Sequence, residues 1–358
     1  MVYIEGYSLL SAIGDTTNAI KQLKKNSYEP ILIDEEIKYY KIPNIKPLDY
    51  YNIIEKSVID AINSANLSKD EIENSALFIG TSSAKLPLNE IYAKQDKEIL
   101  KDLEIDKITK NIADKIGIKN IKTIISTACT SSSNALIQAR ELIKNNMVDR
   151  VIVVGIELYN EFTIRGFDSF MLLSYDKLRP FDKNRDGIIL GEAISTVILS
   201  KKKSSFELVG GAIKVDTTSI TSPTPQNLAS VMQEAIRSAN ITPKDIDIVK
   251  THSTATKQND EVEAEALYKV FNSQIPKIVA LKPYIGHTLG ASGTNELVLL
   301  IESIKNGFIP KTINFLDIDD KCNIIPNIEE LSAIKGYYLL NYFGFGGNNS
   351  SLVLRYGD

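Results

Sequence analysis

Few side chains in this chain can attack or polarise a substrate. Its 358 residues include two cysteines and two histidines. Cys129 lies in TACTSSSNAL, between an apolar β-rich run and a helical stretch through Gln138, Leu142 and Ile143. A cysteine at the turn into a helix sits near backbone N–H groups and the positive end of the helix dipole, and both favour the nucleophilic thiolate. Its small neighbours Ala128, Thr130, Ser131 and Ser132 predict room for a substrate carbonyl beside the sulfur. His252 in KTHSTATKQND and His287 in KPYIGHTLGASG each follow a β-rich run among small residues. Taken singly, such a cysteine is more often a packing residue and such a histidine a satisfied polar group. Together they are the ingredients of acyl transfer from a thiol: the cysteine attacks a thioester, and the imidazoles orient or stabilise the next reactant. A zinc site is the rival for one cysteine and two histidines, but the three are far apart in sequence and lack clustered ligand spacing or a fourth ligand. No metal or other cofactor is expected.

Two further motifs bear on the site. NYFGFGGNNSS interleaves Gly344, Gly346 and Gly347 with Phe343 and Phe345. It lacks the Lys-Ser/Thr of a P-loop and precedes a strand-like stretch, so it reads as a flexible turn that exposes N–H groups and carries an aromatic ring. LRPFDKNRDGIILGEA gathers Asp182, Arg185, Asp186 and Glu192 around turn residues. Charge pairing that fixes a loop is the expected role there.

These residues need a frame to hold them. β-rich runs recur between amphipathic helical stretches at Ala76 to Gly80, Thr123 to Ser126, Arg150 to Gly155, Ala193 to Ser200, Ile246 to Lys250, Lys277 to Leu281, Gly336 to Leu340 and Ser351 to Arg355. That alternation predicts an α/β fold. VIVVG and AISTVILS are apolar enough to predict strands covered by helices on both faces. The charged segment KKKSS, Lys201 to Ser205, follows a strand and predicts a junction between halves 1–202 and 203–358. In each half a strand, a small-residue turn with a reactive side chain and a helix occur in that order, as IISTACTSSSNAL and KPYIGHTLGASGTNELVLL, which hints at duplication. With 43% hydrophobic residues the chain can bury a large core, and its formal charge of −4 argues against coating nucleic acid. Sparse cysteines fit a reducing compartment. MVYIEGYSLLSAIGDTT has Glu5 within its apolar run and reads as a strand and turn, and no stretch approaches the roughly 18 apolar residues of a spanning helix. A cytoplasmic protein is expected.

In order along the chain, TACTSSSNAL, RPFDKNRDGIILGEA, THSTATKQND, KPYIGHTLGASG and NYFGFGGNN resemble the signature series of 3-oxoacyl-acyl carrier protein synthases I and II and of the ketosynthase units of polyketide assembly. Five ordered motifs with their internal spacing kept are more specific than any one of them. The resemblance implies a thiolase-like five-layered αβαβα sandwich of two duplicated halves, and a homodimer or a heterodimer with a related subunit. It implies that Cys129 accepts an acyl chain from acyl carrier protein, and that malonyl-carrier then binds beside His252 and His287. Loss of carbon dioxide would generate the carbanion that attacks the acyl-cysteine. His252 would stabilise the malonyl thioester, and His287 would hydrogen-bond the enolate oxygen or tune the thiolate. Lys282 would support the local charge balance, with Asp260 and Glu263 as structural partners. Thr254 and Thr256 match positions that contact the carrier's pantetheine arm; Phe343 joins them as a substrate-binding residue. Phe345 would be the gate, its N–H forming an oxyanion hole with that of Cys129.

The sequence departs from the family pattern at several positions. Ser253 and Ala255 replace both glycines of the usual THGTGT, Tyr342 stands where a small serine is common, and Asn348 where threonine is usual. Compact segments precede Ile45 and span Leu88 to Lys110. Two readings stay beside the condensing enzyme: a related acyltransferase such as a thiolase, for which Cys322 would have to be a second catalytic cysteine, and a chain-length-factor-like partner that serves structurally.

Overall fold

Ten strands form the frame, named in chain order: β1 (Tyr3–Ser11), β2 (Ala76–Gly80), β3 (Lys122–Ile125), β4 (Arg150–Glu157), β5 (Ala193–Ser200), β6 (Phe206–Val215), β7 (Ile246–Lys250), β8 (Lys277–Val279), β9 (Gly336–Phe343) and β10 (Asn348–Tyr356). They belong to a computed structural model that describes residues 1–25, 28–94, 104–221 and 223–357. Part of the compact segment expected around Leu88 to Lys110 falls outside these residues.

The hydrogen-bonded path runs β3-β2-β4-β5-β1 and continues β6-β10-β9-β7-β8; a further short strand, Gly14–Asp15, pairs only with β1. Add five to each strand number of the first set and the second set results. The senses repeat too. β2 is parallel to β3 and β4, as β7 is to β8 and β9. The β4–β5 and β5–β1 pairs are antiparallel, as are β9–β10 and β10–β6. The strand ladder between the two five-stranded units is a single pair, Tyr3 opposite Glu207. The duplication hinted at by the two reactive turns is thus a repeat of topology.

Helices cover both units on both faces. Outside the first lie α1 (Tyr50–Ala65) and α2 (Lys107–Ile116), which bury Ile54, Val58, Ile108 and Ile112 against it. The short α4 (Glu161–Ser169) follows β4. Outside the second lie α5 (Pro225–Ser238) and α6 (Lys257–Phe271). Between the units run α3 (Ser131–Lys144) and α8 (Ser292–Lys305), which touch each other and strands of both sheets. The layers are therefore αβαβα. Because α3 and α8 are enclosed from both sides, α8 is buried over nearly its whole length, including the apolar run Leu297 to Ile301.

The two inner helices cross very closely. A Cβ on Gly293 would lie 2.2 Å from the Ser133 nitrogen, and one on Gly80 would lie 2.5 Å from the Ser132 nitrogen. Only small residues permit this approach. Ser132 Oγ accepts the Thr294 N–H, and Ser133 Oγ pairs with Ser350 Oγ at 2.7 Å. The expectation that Ser131 and Ser132 make room for a substrate is corrected here: both are fully buried, Ser132 serving this crossing and Ser131 closing the turn before α3 by accepting the Thr127 N–H and donating to the Ala128 carbonyl.

The strands match the sequence pattern closely where burial is complete. β2, β5 and β7 have the expected bounds, β4, β9 and β10 run longer, and β8 is shorter. β6 was not among the expected runs. Its sequence, FELVGGAIKV, carries two glycines and charged residues, and its far end is partly exposed.

Candidate active site

Cys129 lies immediately before Thr130, the N-cap of α3, after Ala128 with φ +52°. It is 6% exposed and faces a cavity of about 420 Å3. The cavity is also lined by His252, Thr254, Thr256, His287, Phe343 and Phe345. The backbone N–H groups of Phe345 and of Cys129 itself favour the charged form of the sulfur. Burial is the strongest influence on the thiol and pushes it up to about 12, against Lys282 and these two N–H groups, which pull it down. The helix start therefore does not leave a resting thiolate, contrary to the expectation from position alone.

His252 follows β7 and His287 follows α7 (Lys282–Ile285); both are buried, with ring centroids 5.2 Å apart and planes at 84°. Their tautomers follow from their neighbours. Lys282 Nζ lies 3.4 Å from His252 Nδ1. An ammonium can only donate, so Nδ1 accepts and the ring proton sits on Nε2. For His287, Asn295 Nδ2 donates to Thr288 Oγ1 at 3.2 Å, Thr288 Oγ1 lies 3.4 Å from Ser292 Oγ, and Ser292 Oγ lies 3.2 Å from His287 Nδ1. A relay in that direction makes Nδ1 the acceptor again. Burial, then the Lys282 charge, holds both imidazoles well below the usual histidine range, so both are neutral. The site therefore presents His252 Nε2–H, and His287 Nε2–H when its hydroxyl relay runs toward Nδ1.

The loop carrying His252 is anchored from behind. Glu263 on α6 accepts the His252 and Ser253 N–H groups, each at 2.8 Å. Burial raises this carboxyl to about 7 although both N–H groups oppose it. Asp260 accepts the Phe181 N–H at 2.8 Å and the Ala255 N–H at 3.2 Å. Both acids hold backbone N–H groups of this loop. Ser253 and Ala255 have φ of +34° and +63°. The loop thus keeps the left-handed conformation natural to glycine, at a cost on the order of 1–2 kcal/mol per residue.

On the opposite wall, Phe345 stacks on Phe167 with centroids 5.8 Å apart, and the Gly346 N–H donates to the Ile220 carbonyl at 2.7 Å. Gly346 and Gly347 have φ of +81° and +72°. Asn348 Oδ1 accepts from Asn134 at 2.8 Å and Thr130 at 3.1 Å, which fastens the strand after this loop to the cap beside Cys129. Thr254 and Thr256 hydroxyls are 3.1 Å apart, and Thr256 also caps α6 by accepting the Asn259 N–H.

Several expectations needed refinement. Tyr342 is fully buried, donates to the Gly293 carbonyl at 3.1 Å and does not line the cavity, so it does not reshape the substrate space directly. Lys282 also stands behind His252 rather than in the cavity wall. Arg185 ties its loop to Asp319, to Glu261 at 3.1 Å and to the Lys257 carbonyl at 3.1 Å. Sequence reasoning missed Lys250 and Glu296, which are paired behind the histidines, and Glu157, which accepts from Thr81, Ser83 and the Gly290 N–H. The available signal was a charge inside an apolar run, as in IDIVK and NELVLL, where burial demands a partner.

Two family models match in tandem: "Beta-ketoacyl synthase, N-terminal domain" over residues 53–205 and "Beta-ketoacyl synthase, C-terminal domain" over 206–316. The chain belongs to the beta-ketoacyl synthase family. Among curated relatives, 3-oxoacyl-[acyl-carrier-protein] synthase 2 of Coxiella burnetii is 32% identical over 67% of this chain and 63% of its own length. The match thus spans somewhat less than two thirds of that relative. Synthase 2 of Staphylococcus aureus is 30% identical over 70% of this chain and 67% of its own length. Synthase 1 of Haemophilus influenzae is 27% identical over 84% and 80%. Among solved structures, the ishigamide ketosynthase/chain length factor superposes with a TM-score of 0.90 at 23% identity, covering 100% of this chain and 99% of that one. A ketosynthase in complex with its chain length factor from Xenorhabdus doucetiae gives 0.87 at 25% identity, covering 99% and 98%. These likenesses extend to the fold as a whole.

Proposed function

We propose that this beta-ketoacyl synthase is a decarboxylating condensing enzyme that joins a Cys129-bound acyl chain to malonyl-carrier. The observation that carries the reading is the convergence on one cavity of a cysteine, two neutral imidazoles, His252 offering Nε2–H, and two N–H groups that favour the charged sulfur. Cys129 sulfur gives up its proton and attacks the acyl-carrier thioester, the Cys129 and Phe345 N–H groups hold the oxyanion, and the C–S bond to the carrier breaks as the carrier sulfur takes up a proton and leaves as its thiol. Malonyl-carrier then places its thioester oxygen against the two histidines. Loss of carbon dioxide leaves an enolate whose charge the Nε2–H groups stabilise. The enolate carbon attacks the acyl-cysteine, the C–S bond breaks, the 3-oxoacyl-carrier departs, and the released Cys129 thiolate takes a proton from solvent to regenerate the thiol. Thr254 and Thr256 would bind the pantetheine arm, Phe343 would border it, and Phe345 would gate the cavity by leaving Phe167.

Acyl carrier protein is the proposed partner, with a homodimer or a heterodimer with a related subunit as the assembly, 1–202 and 203–358 as the structural halves, and the cytoplasm as the location. Among the described residues no helix is long and apolar enough to cross a membrane. Against a thiolase, Cys322 is buried beside Asp319 and lies outside the cavity lining. A chain-length-factor-like role is the second reading, favoured by the structural neighbours that contain such a factor.

Intact-protein mass spectrometry with a panel of acyl-carrier substrates, followed by malonyl-carrier, tests the assignment. The wild type should gain one acyl group and discharge it as 3-oxoacyl-carrier. Cys129→Ala should lose the adduct and slow condensation by about a thousandfold or more. Undiminished condensation in that variant would remove Cys129 as nucleophile, and a wild type that neither acylates nor condenses alone would favour the partner role.

A further inference from the structure

Behind the cavity lies a cluster of charges that the proposed reaction does not use directly. Lys250, the last residue of β7, and Lys282, the first of α7, are both fully buried and share one carboxylate on α8. Lys250 Nζ donates to Glu296 Oε2 at 2.5 Å, and Lys282 Nζ to Glu296 Oε1 at 2.7 Å. Lys250 also donates to the Asn341 carbonyl at 2.7 Å and lies 3.6 Å from the centroid of the Tyr342 ring. Its three N–H directions are thus taken by a carboxylate, a carbonyl and a π face. The Tyr342 departure has its counterpart here: the ring is the bed of a buried ammonium.

We propose that Lys250 is a positioning residue for His252: by holding the outer oxygen of Glu296 it confines the inner oxygen to Lys282, and Lys282 so placed fixes His252 as its Nε2–H tautomer. A carboxylate with one oxygen free could turn both oxygens to Lys282 and draw that ammonium off the imidazole 3.4 Å away. With Lys250 in place the carboxylate is shared and cannot turn. Charge acts in the same sense. Two ammonium groups face one Glu296 carboxylate, and the next acid, Glu263, is turned to the His252 and Ser253 N–H groups on the α6 side. Tyr342 supplies only its ring, since burial and then Glu296 hold its phenol well above the usual range. The remaining titratable neighbour, His287, is neutral for the same reasons as His252, and the Lys250 charge contributes to keeping both so. A site that stabilises an enolate with neutral N–H donors needs this bias, because an imidazole with its proton on Nδ1 would present a lone pair to the developing anion.

The catalytic consequence rests on the condensing reading above, whereas the tautomer can be read without turnover. With only two histidines in the chain, long-range 1H–15N spectra of histidine-labelled protein resolve each ring, and His287→Asn assigns them. Wild type should show His252 neutral with Nε2–H at pH 7. Lys250→Gln should raise its titration midpoint by about one pH unit, mix its tautomers, and lower kcat for malonyl-carrier decarboxylation about tenfold with KM little changed. A folded Lys250→Gln protein whose His252 keeps its tautomer and midpoint would overturn the proposal. So would a wild type with His252 charged or protonated on Nδ1 at pH 7, a result that does not depend on the variant folding. If the ring responds as expected while the wild type does not turn over malonyl-carrier, the positioning stands and the condensing reading fails.

Discussion

At the scale of single residues, the resting state of Cys129 decides how the site can be charged with substrate. The N–H groups of Phe345 and Cys129 and the Lys282 ammonium all favour the thiolate, yet burial outweighs them and leaves the thiol near 12, above its ordinary value. A raised thiol pKa means that the thiolate fraction keeps growing through the neutral and mildly alkaline range. Alkylation of Cys129 by iodoacetamide, followed by peptide mass spectrometry to separate it from Cys322, should therefore accelerate about tenfold per pH unit from 7 to 9 with no plateau. A plateau below pH 8 would mean that the helix start and the N–H groups win over burial after all. This balance was not legible in the sequence, because position before a helix is local whereas the depth of burial is set by residues distant along the chain, such as Phe343 and Phe345. The three reactive residues were legible as a set, since each follows a strand among small residues. Their supporting charges were less so: Lys250 on β7 and Glu296 on α8 are 46 residues apart, and nothing along the chain says that they meet.

The crossing of α3 and α8 carries the same lesson at the scale of elements. Ser131 and Ser132 read as room for a substrate, but the small residues of TSSSNAL and GASGTNEL are required by helix against helix and helix against strand. Gly293→Ala would place a methyl group 2.2 Å from the Ser133 nitrogen, backbone that has no rotamer with which to yield. We expect a loss of about 3 kcal/mol or more of stability, measured by urea denaturation with an unchanged m-value, or failure to fold. Gly166→Ala in α4 is the matched control. A Cβ there meets nothing within 4 Å, so replacing glycine within a helix should be neutral or stabilising by up to about 1 kcal/mol. Equal destabilisation by both substitutions would show that the crossing is not what demands glycine. Strand positions were easier to read than these helix contacts, since AISTVILS and RVIVVGIE are buried on both faces and their composition says so directly. FELVGGAIKV escaped because β6 is the strand at which the two units join, and its partial exposure and glycines dilute the apolar signal.

For the whole molecule, the candidate site exists only where the two units meet. Cys129 comes from the first unit, whereas His252, His287 and Phe345 come from the second. The strand pairing across the boundary is a single residue pair, so the sheets alone hold the units together weakly. The joint is made instead by α3 and α8, each enclosed by both sheets, and by Arg185, which reaches from the first unit to Asp319, Glu261 and the Lys257 carbonyl. Either unit alone would expose a face of its inner helix that is apolar along Leu136, Ile137 and Ile143 or along Leu297 to Ile301. At roughly 1.5–3 kcal/mol for each large apolar side chain returned to water, that loss is comparable with the 5–15 kcal/mol by which whole domains are stable. Fragments 1–202 and 203–358 expressed separately should therefore be insoluble or lack dispersed amide NMR signals, and should recover structure only when refolded together. A separately folded fragment would mean that the duplication still consists of two self-sufficient units, with α3 and α8 docking onto finished surfaces rather than completing a shared core.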